Sequence, residues 1–356
     1  YAWDRPGWFA ASATEHRACR ENVALFDQSS FAKYEIRGAD AEAVLQRLCA
    51  NDVGVAVGRA VYTAMLNARG TFESDLTVIR RARDRYYLVT GTAQAARDAD
   101  WIRHHVPRGA DFSLEDQTDR LAVLSVMGPQ SRALLAPLAN VPLDNAAFPH
   151  GTARDIEVAG IPVLAVRLSY MGELGWELHV EAAHAGALYT ALHAAGKPLG
   201  LVNAGHYAIN SLRMEKGYRA WGAELSTDEN PIEAGLAFAV AWDKPGGFLG
   251  REALLAAREV QPRKRLVSLV LEDPHPLLWG SEPILRDGVI AGYTSSAAYG
   301  HTVGASVALG YVKLPGEASR EAILAGRYEV MLDGVKYPAR VMFRAPYDPQ
   351  RERILA

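Results

Sequence analysis

The sequence predicts an α+β protein that closes with a separate all-β domain. Three observations carry this reading. Up to about residue 256, period-two apolar patterns at Tyr34 and Ile36, Val61 to Leu66, Leu76 to Ile79 and Arg85 to Thr90 alternate with helical patterns. From Arg265 onward only strand patterns remain, at Leu266 to Leu271, Pro283 to Tyr293, Val307 to Leu314 and Arg327 to Phe343, joined by the hairpin pairs Asp287-Gly288 and Asp333-Gly334. The chain of 356 residues is also too long for one ordinary core. The expected division is therefore 1–256 for two intertwined α+β subdomains and 265–356 for a small barrel or jelly roll, with a linker near Ala257 to Lys264.

The opening Tyr1 to Phe9 concentrates aromatic rings around Pro6 and Gly7 and reads as an irregular arm. Its Trp3 and Trp8 are expected to form a docking surface for a partner domain. A helical turn pattern follows from Glu15 to Val23, then a strand that stops at Gly38. Asp40 is placed to cap a helix whose apolar stripe is Val44, Leu45, Leu48 and Cys49. Val61 to Leu66 and Leu76 to Ile79 flank a turn at Asn67 to Gly70, which makes a hairpin with Asp75 at the start of its second strand. After a helix at Ala93 to His105, a strand from Arg120 to Val126 enters a helix with Pro129 in its first turn. Ile156 to Val180 reads as a β run in which Gly172 and Gly175 let the backbone pass close to a neighbour. Helices at Ala185 to Ala195 and Gly205 to Lys216 complete the α+β part, the second stopped by Gly217.

Several function classes are disfavoured. The net charge is −3 and no run of five like charges occurs, so there is no electrostatic footprint for nucleic acid. No apolar stretch reaches membrane-spanning length. Two cysteines, Cys19 and Cys49, cannot build a disulfide framework and fit a reducing compartment such as a cytosol or mitochondrial matrix. Neither a dinucleotide fingerprint nor a phosphate-cradling loop is present, and neither cysteine nor any serine sits in a nucleophile motif. The histidines show no metal-ligand spacing, so no metal is expected. Carboxylates, aromatics and an arginine are left to carry the chemistry.

Among these Asp75 stands out. A carboxylate at the mouth of a hairpin with apolar flanks is held on a rigid element and can accept from, or deprotonate, an N–H. The plainer reading is that it satisfies backbone donors where the strand begins. Tyr170, Trp176 and Glu177 supply ring faces and a second carboxylate, although a strand carrying Tyr170 and Trp176 is equally suited to packing on another sheet. Arg213 and Glu215 can likewise belong to a solvated helix face with Lys216.

Five separated stretches settle on a family. Leu25 to Ser29 (Leu-Phe-Asp-Gln-Ser), the Tyr62 to Leu76 hairpin, Tyr170 to Glu177 (Tyr-Met-Gly-Glu-Leu-Gly-Trp-Glu), Ser211 to Gly217 and Gly292 to Ser295 occur in this order. Together they resemble the aminomethyltransferase of the glycine cleavage system. The arm Arg5 to Phe9, Ser29 to Tyr34, Glu215 to Gly222 and Tyr299 to Thr302 look like the folate-binding C-terminal half of dimethylglycine and sarcosine dehydrogenases or oxidases.

The resemblance implies a three-domain ring with tetrahydrofolate in its central hole. It implies Asp75 as the catalytic residue, and Met65, Leu66, Tyr170, Trp176, Glu177, Arg213 and Trp221 as cofactor contacts. One position departs from the family: Gly91 stands after Leu88-Val89-Thr90 where the aminomethyltransferases carry Asn, so backbone groups are expected to read the pterin there. The implied reaction is transfer of a methyl-derived carbon from an N-methylated amino acid to tetrahydrofolate, giving 5,10-methylenetetrahydrofolate. Because the chain carries no hydride acceptor, the oxidation calls for a FAD-bearing module, upstream or on another polypeptide. Direct demethylation of an S-, O- or N-methyl donor is the first alternative. A non-enzymatic folate-binding role in iron–sulfur assembly is the second, and Tyr218 after Lys216-Gly217, where that branch has a cysteine, argues against it.

Overall fold

The computed structural model describes residues 5–356; Trp3 and the first four positions of the arm lie outside them. Three β layers organise the molecule. Its strands are β1 (Ala24–Asp27), β2 (Ala32–Arg37), β3 (Ala60–Leu66), β4 (Phe72–Ala82), β5 (Arg85–Thr90), β6 (Ser113–Asp116), β7 (Leu121–Met127), β8 (Ala153–Val158), β9 (Ile161–Val166), β10 (Gly175–Glu181) and β11 (Val202–Ala204). Beyond them run β12 (Lys264–Leu271), β13 (Pro283–Arg286), β14 (Val289–Gly300), β15 (Ala305–Lys313), β16 (Tyr328–Leu332) and β17 (Val335–Met342). One sheet has the order β11-β1-β7-β10-β9-β8 and a second β3-β4-β5-β2-β6, so consecutive strands β1 and β2 enter different sheets and the two subdomains interlace. The remaining six close a barrel in the order β12-β15-β14-β13-β16-β17. The expected α+β class with a terminal β domain is borne out, and of barrel and jelly roll it is the barrel.

The hairpin signals act as written. Asp287 and Gly288 take φ 53° and 84°, and Asp333 and Gly334 take 49° and 79°. Left-handed conformations at both central residues give the turn a twist that matches its strands. The helices are α1 (Phe9–Glu21), α2 (Ala41–Leu48), α3 (Ala95–His105), α4 (Ser131–Leu135), α5 (Ala185–Gly196), α6 (His206–Glu215) and α7 (Arg251–Arg258), followed by two short ones near the C-terminus. The first begins at Phe9, well before the expected Glu15, because Ala10, Ala11 and Ala13 favour helix over an irregular arm. Trp8, just before it, stacks on Tyr207 with ring centroids 4.2 Å apart and meets the edge of Trp279. Asp40 makes no side-chain cap; its Oδ2 accepts from Asp111 N at 2.8 Å and fastens a neighbouring loop instead.

Two corrections concern the residues around the site. The β run expected from Ile156 to Val180 is broken, since β9 ends at Val166 and residues 167–174 form an irregular loop that carries Tyr170. Gly172 in that loop has φ 78°, and a Cβ there would fall 2.4 Å from Lys216 Cγ, so its lack of a side chain lets the loop lie against α6.

The second correction is that Arg213, Glu215 and Lys216 are all buried and are no solvated face. Arg20 of α1 donates from Nη1 to Met171 O at 2.7 Å and to Glu173, and from Nη2 to Leu212 O and Glu215. Glu215 Oε1 in turn accepts from Thr302 N and Val303 N of the barrel, and Lys216 Nζ donates to Asp348. Burial works against the Glu215 charge, but His16, Arg20 and the backbone donor outweigh it and leave this carboxyl at about 2. One paired network thus locks α1, the Tyr170 loop, α6 and the barrel together.

Candidate functional site

The site grows from the β3–β4 hairpin. Along β4, Phe72, Ser74, Leu76 and Val78 are buried, while Glu73, Asp75 and Thr77 alternate to the other face. In the same way Trp176, Leu178 and Val180 of β10 point into the core that holds Phe148, Leu188 and Leu192, which leaves Glu177 and His179 on the opposite face. Ile79 and Tyr87 of one sheet pack against Leu164 and Val166 of the other, and Tyr87 Oη lies 3.0 Å from His179 Nδ1. The two sheets therefore face each other, and Asp75 and Glu177 are both on the facing sides.

Asp75 Oδ2 accepts from Tyr62 Oη at 2.9 Å. Burial lifts its carboxyl to about 6, held from rising further by the hydrogen bond from Tyr62. Burial and then the adjoining carboxylate push the Tyr62 hydroxyl well up, so it stays a donor at neutral pH. Tyr170 stacks near Tyr218 at 5.9 Å and donates to Arg219 O at 2.7 Å. The Arg219 guanidinium donates to Gly217 O and Ala234 O and lies in the field of Tyr62, Tyr170 and Tyr311. Asp75, Tyr62, Tyr170 and Arg219 each keep part of their surface accessible although protein surrounds them on nearly every side. They lie close enough to act on one another electrostatically, Tyr62 and Tyr170 in the field of Asp75 and Arg219 in that of both phenols. A carboxylate beside phenol rings, with a second carboxylate, Glu177, on the facing side of the other sheet, is chemistry suited to a flat heterocycle rich in N–H donors.

The residues named in advance divide. Asp75 and Glu177 lie on the facing sides of the two sheets, and Tyr170, on the loop before β10, lies within the field of Asp75. Trp176 points the other way: it is fully buried, its ring edge-on to Phe148, because its neighbour Glu177 takes the facing side of the strand. Met65 and Leu66 are also fully buried, in two different cores, and present no surface to a ligand. Arg213 lies beside Tyr170 but is engaged by Glu224, at 3.0 Å from Nη1, and by Tyr218 O. It anchors the loop that follows α6. Trp221 of that loop is half-buried under the Arg97 guanidinium. Sequence reasoning missed Tyr62 as the partner of Asp75, and also Arg219 and Glu224. The run Tyr218 to Leu225 was visible, but nothing in it says which side chains turn inward.

Among the described residues no helix is long and apolar enough to cross a membrane, and no three His, Cys, Asp or Glu side chains are placed to hold a metal.

Comparison with known proteins places this architecture. Residues 1–244 match the GCVT N-terminal domain and residues 264–348 the glycine cleavage T-protein C-terminal barrel domain. The chain belongs to the aminomethyltransferase family of the glycine cleavage T-protein. It is 39% identical to the 4-methylaminobutanoate oxidase (formaldehyde-forming) of Paenarthrobacter nicotinovorans over 99% of this chain and 42% of that one. It is 40% identical to the mitochondrial sarcosine dehydrogenase of Mus musculus over 99% of this chain and 40% of that one. The chain thus spans about two fifths of the length of these relatives. The crystal structure of aminomethyltransferase T from Bartonella henselae superposes with a TM-score of 0.83 at 24% identity, covering 96% of this chain and 90% of that one, and has the same fold.

Proposed function

We propose that this chain is a tetrahydrofolate-dependent one-carbon transferase module that takes the methyl-derived carbon of an N-methylated amino acid and yields 5,10-methylenetetrahydrofolate. One observation carries the reading: a carboxylate on the first long hairpin, bonded to Tyr62 and raised to about 6, stands on the side of its sheet that faces the second sheet. A base poised near working pH is what removal of a proton from a folate nitrogen requires. Tetrahydrofolate, when bound, supplies the nucleophilic nitrogen that accepts the carbon. Asp75 orients that nitrogen and takes up its proton, with Tyr62 holding the carboxylate rotamer. Glu177 pairs with the N–H donors of the pterin edge, and Tyr170 packs on its ring. Arg219 and the loop held by Arg213 and Glu224 flank the site beside the barrel.

The donor substrate must be oxidised before its carbon can be captured. We assign that step to a FAD-bearing module joined to or associated with this one, in keeping with relatives named as an oxidase and a dehydrogenase that exceed the matched region. The test supplies the full-length polypeptide with 13C-methyl sarcosine or dimethylglycine and with tetrahydrofolate. Label in methylenetetrahydrofolate supports the proposal. Label in 5-methyltetrahydrofolate would assign direct methyl transfer instead, and label released wholly as formaldehyde regardless of folate would overturn transfer altogether.

A further inference from the structure

The second carboxylate of the site has a neighbour that the reaction above does not use. His179 follows Glu177 by two residues on β10, so strand alternation puts both side chains on the side that faces the other sheet. Val123 of β7 and Leu164 of β9 flank it within its own sheet, and it is 2% exposed. Its Nδ1 lies 3.0 Å from Oη of Tyr87, which reaches over from β5 with its ring edge-on to the imidazole. Its Nε2 has no hydrogen-bond partner among the described residues, and Glu177 Oε2 stands 3.7 Å away. His179 is the one basic side chain within 4 Å of that carboxylate among the described residues.

The need to satisfy these buried groups places the protons. Tyr87 is 4% exposed, and His179 Nδ1 is the one partner of its hydroxyl among the described residues, so the phenol donates and Nδ1 accepts. The proton of the neutral ring is then on Nε2, turned toward the carboxylate. The other tautomer strands the phenol proton without an acceptor and aims the Nε2 lone pair at an anion, and each fault leaves a buried polar group unpaired. The 3.7 Å gap is wider than a hydrogen bond, but the Glu177 side chain is 18% exposed and a rotation of its carboxylate closes it.

We propose that His179 is a positioning residue for Glu177: Tyr87, reaching across from the other sheet, fixes the imidazole proton on Nε2, and that N–H holds one carboxylate oxygen so that the remaining lone pairs are set for the N–H donors of the ligand. The inference rests on the reading of Glu177 given above and deepens it. A carboxylate has acceptor capacity for both, since its two oxygens together offer about four lone-pair sites.

The experiment reads the tautomer first, by imidazole 15N NMR of the full chain at neutral pH without folate, with the signals of His179 assigned by their loss in His179→Gln. Nε2 should carry the proton and Nδ1 should not, and Tyr87→Phe should remove that preference. Tetrahydrofolate affinity is then measured by calorimetry on variants shown to be folded by thermal unfolding. His179→Phe should weaken binding about tenfold, as expected for loss of a hydrogen bond to a charged group. His179→Gln, whose amide presents an N–H at the same reach, should recover most of it, and His179→Phe should cost nothing further in a Glu177→Gln background. Protonation of Nδ1 in the wild type, or a folded His179→Phe that binds as well as the wild type, would overturn the proposal. Wild type that shows the Nε2–H tautomer but binds no tetrahydrofolate would sink the function proposed above and leave the arrangement of Tyr87, His179 and Glu177 standing.

Discussion

Asp75→Asn is expected to make the protein more stable and less active. The carboxyl stands about two units above its ordinary value, the mark of a charge held against its burial. Two units correspond to about 3 kcal/mol on the charged form, and because the group retains some solvent contact about 1–2 kcal/mol is the realistic share. The sign follows from proton binding. The folded state holds the proton more tightly than the unfolded one, so this group's favourable contribution is complete below about 4 and is lost as pH rises through about 6. At pH 7.5 the wild type is therefore penalised and the amide is not. Activity moves the other way, since an amide cannot accept the proton or oppose charge developing on a folate nitrogen. Loss of one such electrostatic partner costs about 3 kcal/mol of barrier, roughly a hundredfold in rate. Urea unfolding at pH 5 and pH 7.5 with single-turnover carbon transfer reads both effects. The stability gain should be larger at pH 7.5. A variant that is destabilised at pH 7.5, or that turns over at the wild-type rate, would remove Asp75 from the role given to it.

Other substitutions separate binding from architecture. Glu177→Gln should weaken affinity for tetrahydrofolate about tenfold or more, measured by calorimetry, with little change in unfolding free energy, since a charge-assisted pair to the ligand is lost. Trp176→Ala should do the reverse, costing about 3–5 kcal/mol of stability from its buried site and sparing affinity in whatever fraction stays folded. Glu215→Gln leaves Arg20 and His16 without their carboxylate and should cost about 3 kcal/mol or more at neutral pH. This carboxyl is held below its ordinary value, so its contribution is present above about 4.5 and fades as pH falls through about 2; the wild-type advantage over Glu215→Gln should shrink on acidification.

Much of the fold was legible because its signals are local. The two Asp-Gly pairs carry their turn geometry in their own backbone preferences, and the apolar flanks of the Asp75 hairpin mark it as a strand pair. Asp75 could be singled out because a carboxylate amid such flanks is unusual on its face. Trp176 and Glu177 show where locality ends. The residues are adjacent and both suit a pterin, but strand alternation sends one to each face, and the position of the core decides which. Arg20, Glu173 and Glu215 look in sequence like ordinary surface charges, and only the approach of α1, the Tyr170 loop and α6 turns them into a buried network. Tyr62 and Arg219 were hidden for the same reason. Each matters through a partner that appears only once the chain has folded.

The most direct measurement is a crystal structure of this protein with tetrahydrofolate bound. The pterin should lie between the two sheets, with a ring nitrogen on Asp75, its N–H edge on Glu177 and Tyr170 against its face. A pterin bound elsewhere on the molecule, or one between the sheets that leaves both carboxylates untouched, would contradict the mechanism derived from this site.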